Sequence, residues 1–299
     1  MLATRKPLDS MAMMLMIMLC ACWGLQQVVT KATAFALHPV MQNGLRCLIA
    51  AVLLWMTMLW RGETFSLRDG RLLPGLGSGA LFAGEFLLIA IGLMHTTASH
   101  MVVFLYTAPI FTAIGLHWRV AAERLGARQW FGVLLAFSGM ALAFSAGFLG
   151  AHPSSDMLIG DSLGILAGIF WAATIVLVRE SSLADAPPTQ TLLYQLVVAS
   201  IMLLGMGALM GQWSTITMNR LAWESLLFQA LIVSLASYLT WFWLLRRYMA
   251  SRLSAFSFLT PLFGCSFGVL LMHDPVSPRF VFGAALVFSG IVLVNWKRK

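Results

Sequence analysis

The 299-residue chain is 60% apolar and 10% charged, with a mean hydropathy of +0.86; water-soluble proteins average about 45–50% and about 25%, so soluble domains, disorder and disulfide scaffolds are excluded. Its net charge of +8 would suggest nucleic acid in a soluble protein, but in a membrane chain it marks cytoplasmic loops. A bilayer crossing takes about 20 apolar residues, so ten helices would leave about 100 for termini and connections, too few for a soluble domain.

Apolar runs bounded by charge, proline or glycine predict all-α spans at about 11–35, 39–60, 72–94, 97–118, 127–147, 159–178, 189–210, 223–245, 252–272 and 278–296. The first follows Arg5 and Lys6 as a signal peptide would, yet it runs on to about residue 35, too far for a typical cleaved segment. Pro39 and Pro188 open the second and seventh spans, where a missing N–H costs little. Cys20, Cys22, Cys47 and Cys265 all lie in apolar runs and read as packing residues.

Loop charge sets the orientation. With a cytoplasmic N-terminus, fifteen of the nineteen Lys and Arg fall on inside segments and three (Lys31, Arg220, Arg279) outside, with Arg46 within a span. Such a bias over short loops predicts both termini inside.

The halves 1–150 and 151–299 repeat one pattern. Trp23 and Lys31 match Trp171 and Arg179, eight residues apart in both. Pro109 in the fourth span matches Pro261 in the ninth, and the Gly132–Gly139 spacing of the fifth recurs as Gly283 and Gly290 in the tenth. Glu123 and Asp274 precede these last pairs at corresponding offsets. Five spans per repeat is odd, so the second copy enters from the opposite side, the inverted arrangement from which secondary transporters derive alternating access.

These residues resemble the drug/metabolite transporter superfamily, in particular its ten-helix EamA-type members. The resemblance covers nearly the whole chain. It is carried by Trp23-Gly24 with Lys31, Leu45-Arg46-Cys47 before Ala50-Ala51, Ala108-Pro109, Glu123-Arg124-Leu125, and Gly132 to Gly139. The second half is looser, with Asp274-Pro275 where the family usually has a Glu-Arg pair. The resemblance implies two interleaved repeats, a central cavity and export of small metabolites, often amino acids, from a bacterial-type inner membrane.

Candidate site residues are those that a bilayer would reject. Glu85 is the one acidic residue read as deep in a span, where a charge costs about 2.5–3.5 kcal/mol. It is either a proton-carrying or amine-binding group, or a carboxylate neutralised by a partner. Arg46 lies at a comparable depth, roughly 10 Å in against roughly 13 Å for Glu85, and is expected to interact with it directly or through water. Whether Arg46 is a fold-holding residue or a substrate contact stays open. Trp23, Gln27, Thr30 and Lys31 share one face of the first helix, with Trp171 as the repeat mate of Trp23. Tyr238 and Trp241 share a face of the eighth helix, while Trp243 is expected to point to lipid. Tyr106 precedes the Pro109 kink; Pro109 and Pro261 are expected bending points. Glycine rows at 75 and 79, at 160, 164 and 168, at 207 and 211, and at 264 and 268 read as close helix contacts.

The expected function is therefore secondary transport of a small molecule, proton-coupled through Glu85, with an amino acid ranked first because it would satisfy both Glu85 and Arg46. An uncoupled facilitator or channel, and an exporter of drugs or cations, are the alternatives. No phosphate-cradling loop, nucleophile setting or metal cluster is visible, so neither an enzyme nor a cofactor is expected. His95 and His100 have no acidic neighbour in sequence and read as surface residues. Lipids, but not nucleic acid, are the expected surroundings, and two full repeats allow a monomer or a homodimer.

Overall fold

The computed structural model describes residues 6–63, 70–148, 154–272 and 277–296. Ten helical spans occupy them: α1 (Ser10–Thr33), α2 (Pro39–Trp60), α3 (Leu72–Gly92), α4 (Ala98–Arg119), α5 (Ala127–Ala143), α6 (Ser155–Glu180), α7 (Pro188–Leu209), α8 (Arg220–Arg247), α9 (Ala250–Leu271) and α10 (Pro278–Asn295). Among the described residues nine are long and apolar enough to cross a membrane, and α5, at 17 residues, falls just short of them. The fold is the expected all-α membrane architecture of two inverted five-helix repeats. Arg5, Arg68, Asp274, Pro275, Lys297, Arg298 and Lys299 lie outside the described residues.

The helix starts follow local chemistry. Asp9 Oδ1 accepts the Ala12 N–H at 2.8 Å and Asn219 Oδ1 accepts that of Ala222 at 2.8 Å, satisfying donors that the first turn leaves unpaired. Proline stands at the head of α2, α7 and α10. The ends of α1, α3, α5, α7 and α9 and the starts of the helices that follow them form the far end of the bundle. The opposite, near end carries residues 6–9, the α4–α5 and α6–α7 turns, and the α8–α9 junction.

Between apolar helices in lipid there is no hydrophobic drive, so close packing of small residues must hold the bundle. The α5–α10 seam shows it most plainly: a Cβ added at Gly139 would lie 2.6 Å from the Gly283 carbonyl, and one at Gly132 would lie 2.8 Å from that of Gly290. Gly75 and Gly79 seat Tyr194 and Val198 of α7, Gly160 and Gly168 receive the α4 backbone and its approach, and Gly24 meets Gly264 across α1 and α9. Gly207 packs on Met41, but Gly211 does not belong to that row; it turns the chain at φ +70° with nothing within 4 Å.

Both predicted proline kinks are real breaks. The fourth span divides into Ala98–Leu105 and Ala108–Arg119, and the ninth into Ala250–Phe256 and Leu259–Met272. Each interruption precedes its proline because Pro109 and Pro261 supply no N–H to the carbonyls of Leu105 and Ser257. In α8 the stretch Phe228–Ser237 is a π-helix, a rare conformation that sequence reading did not anticipate and that recurs at functional sites.

Candidate functional site

Between α1, α8 and α9 on one side and α3, α4 and α6 on the other lies a cavity of about 710 Å³. Trp23, Gln27, Glu85, Tyr106, Trp171, Tyr238 and Trp241 all line it, together with Pro261. Its rim is at the far end, where Lys31, Leu93 and Ala98 are exposed; its floor toward the near end is Val178, Phe242 and Leu245, all buried. The cavity is thus open on one face only.

The wall is an aromatic box. Trp23 stands edge-on to Trp241 with ring centroids 5.8 Å apart, and its indole N–H donates to Ser237 Oγ at 3.0 Å. Phe82 meets Tyr238 at 5.7 Å and Tyr106 meets Trp171 at 5.5 Å, both edge-to-face. Such contacts fix ring orientation as well as bury area. Gln27 Nε2 reaches the Tyr106 hydroxyl at 3.5 Å, so the two sides of the cavity meet through polar tips as well as rings.

Glu85 is the acidic residue of this lining, and among the described residues no side chain or backbone N–H donates to its carboxylate. It is 8% exposed, its surface turned to the cavity. A carboxylate so placed has the Arg46 charge acting on it through space and the cavity contents, but no hydrogen-bond donor, to compensate its charge. Lys31, the basic residue of the lining, stands at the rim.

Arg46 is placed differently from the other site residues. It is fully buried and does not line the cavity. Its guanidinium lies 5.0 Å from the centroid of Phe86 and 5.8 Å from that of Tyr238, and Nη2 donates to the Tyr238 hydroxyl at 3.3 Å. Nε and Nη1 have no partner, and no direct hydrogen bond joins it to Glu85 among the described residues. The rings of the wall stand between this cation and the cavity. Of the bending points, Pro261 faces the cavity while Pro109 is buried outside its lining.

Several lining residues were missed in sequence: Phe82, Phe86, Asn43, Thr174 and Gln195. The polar three carried a readable signal, being amide and hydroxyl groups inside apolar spans; Gln195 Nε2 is buried without a partner. Phe82 and Phe86 carried none, since a phenylalanine in a span is ordinary lipid or core contact. Tertiary pairing corrects two expectations. His100 is buried, with Nδ1 3.0 Å from Asp161, and His95 Nδ1 lies 2.7 Å from Asp156; both acids come from α6, about 60 residues away and beyond any local scan. Trp243, expected to point to lipid, is half-buried with the Arg247 guanidinium 4.2 Å from its ring.

Comparison with known proteins agrees with this architecture. Residues 10–145 and 158–296 each match the EamA-like transporter family. The uncharacterized transporter YvbV of Bacillus subtilis is 28% identical over 96% of this chain and 92% of its own length. A protein of Escherichia coli named "Probable amino-acid metabolite efflux pump" is 26% identical over 92% of this chain and 93% of its own. A solved crystal structure superposes with a TM-score of 0.81 over 96% of both chains at 17% identity, which speaks to the fold alone. An inverted pair of five-helix repeats around a one-sided cavity, matched in both halves by the same family, makes this chain a member of the EamA-like transporter family.

Proposed function

We propose that this transporter exports a small metabolite bearing an amine, and that the amine is held by Glu85 inside the aromatic box. One observation carries the reading: the midplane cavity surrounds a carboxylate that has no donor of its own with rings that attract cations through their faces. The cation bias of the loops sets the near end in the cytoplasm. Arg179, counted there as a loop charge, is buried in an ion pair, yet without it the ratio is still fourteen to three. The open face is then the outer one, in a bacterial-type inner membrane.

Proton and amine compete for one carboxylate. Glu85 picks up the amine with the cavity open to the cytoplasm, releases it when a proton takes its place on the outer side, and returns neutral. Moving a Glu85 carboxylate that holds neither proton nor amine through the closed state is disfavoured by its solvation cost, which couples the two fluxes. Arg46 acts through the rings it braces, because those rings separate it from the cavity. The carboxylate contact that favoured an amino acid is thereby weakened, while the names of the Escherichia coli and Salmonella typhimurium relatives, both amino-acid metabolite efflux pumps, keep that class first. Gln195 and Asn43 supply neutral donors for a carboxylate.

The test uses purified protein in liposomes with an imposed pH gradient, screening amino acids and small organic cations beside Glu85→Gln. Gradient-driven movement of one class, lost in Glu85→Gln, is the expected result. Movement indifferent to both gradient and substitution would overturn the coupling and leave a facilitator.

A further inference from the structure

The near end of the cavity is closed by a buried charge that the binding site does not use. Glu123, on the short turn between α4 and α5, is fully buried and paired with Arg179 of α6. Its carboxylate also accepts the Ala250 N–H at 3.0 Å, the Ser251 N–H at 3.1 Å and the Ser251 hydroxyl at 2.8 Å, all at the start of α9. Arg179 in turn donates to the Leu245 carbonyl of α8 at 3.2 Å. Leu245 and Val178, the neighbour of Arg179, are floor residues of the cavity. One carboxylate of the first repeat thus gathers three helices of the second directly beneath the substrate space.

We infer that Glu123 and Arg179 form the inner latch of the transport cycle: intact, the pair holds the cavity shut toward the near face, and its bonds to α8 and α9 must part for the cavity to open there. Two features argue for a latch and against a permanent staple. First, the tie crosses between the two walls of the cavity, Glu123 beside α4 reaching the start of α9 and Arg179 of α6 reaching α8, the walls that alternating access must move against each other, and it closes the face opposite the open rim. Second, the position is duplicated with the opposite outcome. Arg179 and Lys31 stand eight residues after Trp171 and Trp23. Arg179 is buried and paired at the sealed end, whereas Lys31 is exposed at the open rim with no ion-pair partner among the described residues. A buried ion pair contributes little net stability over an apolar packing, but once its members reach water the desolvation penalty is recovered. Such a contact is tight when dry and releasable when wetted, which suits a gate. Further ties close the same face: Arg119 pairs with Glu180, and the Tyr248 hydroxyl donates to Asp9 at 2.7 Å.

The inference rests on the alternating-access reading, and its test needs no substrate. In a background with Cys20, Cys22, Cys47 and Cys265 replaced by Ala, Val178→Cys reports on the cavity floor and Ala98→Cys on the rim. A membrane-impermeant maleimide is applied to the near face alone of oriented vesicles. Glu123→Gln puts an amide N–H against donors, and Ser251→Ala removes one donor with little risk to folding. Near-face labelling of Val178→Cys should rise about tenfold or more in Glu123→Gln, and in the same direction by less in Ser251→Ala, with rim labelling from the far face retained. Near-face labelling equal to the parent in a folded Glu123→Gln protein would overturn the latch. Should that variant not fold, an unchanged rate in Ser251→Ala would overturn it instead. A latch that opens in a protein that moves no solute would remove the transport reading and leave the gate standing.

Discussion

Arg46→Met separates the two roles that sequence left open for this residue. The substitution keeps the volume of the side chain and removes its charge. Lost are two cation–π contacts, to Phe86 at 5.0 Å and Tyr238 at 5.8 Å, worth about 1 kcal/mol each. A long hydrogen bond to Tyr238 at 3.3 Å adds about 1.5 kcal/mol. Against this, Nε and Nη1 are buried with no partner, and removing two such groups returns about 1.5 kcal/mol each. The sum leaves Arg46→Met destabilised by about 0.5 kcal/mol, so its melting temperature in detergent should fall by no more than about 2 °C. Transport should nevertheless slow, because Phe86 and Tyr238 lose the plate that fixes their tilt, and it should slow equally for an amino acid and for its decarboxylated amine. Matched uptake assays on the two compounds read the difference. Selective loss of the carboxylate-bearing compound would refute the reasoning and make Arg46 a substrate contact.

Trp23→Phe keeps a ring against Trp241 but loses the donor to Ser237, so binding of a labelled amine should weaken by about fivefold, as measured by scintillation proximity. Gly139→Leu should abolish recovery of folded protein, since its Cβ alone would stand 2.6 Å from the Gly283 carbonyl, an atom that cannot rotate away. Gly211→Ala meets open space and bears only the left-handed backbone cost of about 1–2 kcal/mol, so it should still fold with a lowered melting temperature. Pro109→Ala restores an N–H to the Leu105 carbonyl and should lengthen the helix through the break at residues 106–107, raising stability while lowering turnover in the liposome assay.

Much of the fold was legible because the bilayer imposes one rule on every span. A run of about 20 apolar residues must be helical to satisfy its own backbone, and this placed all ten helices to within a few residues. The α5 end, Ala143 instead of about 147, and the α6 start, Ser155 instead of about 159, were exceptions; at α6, Asp156 and Asp161 kept the hydropathy low while Ser154 capped the helix by accepting the Met157 N–H at 3.1 Å. The prolines gave the breaks, and the matching Trp, Pro and Gly positions gave the inverted repeat. Glu85 and most of the box could be named for the same reason, since polar and amphipathic side chains at membrane depth must face inward.

What the sequence could not order was distance between helices. Arg46 and Glu85 share a depth, and the Arg46 charge acts on Glu85, but the guanidinium packs against Phe86 and Tyr238 with no direct hydrogen bond to Glu85, because depth alone carries no information on azimuth. Glu123 and Arg179 read as ordinary loop charges because each stands at a span end; only the packing of α6, α8 and α9 around the α4–α5 turn withdraws them from water. The π segment of α8 is bonded by α1 at both its ends, Thr30 to Gln229 and Trp23 to Ser237, pairings that no local pattern carries. Hydropathy is a property of single residues and fixed which segments cross the membrane. Pairing is a property of surfaces brought together, so the tertiary structure alone decided which charges face the cavity and which close it.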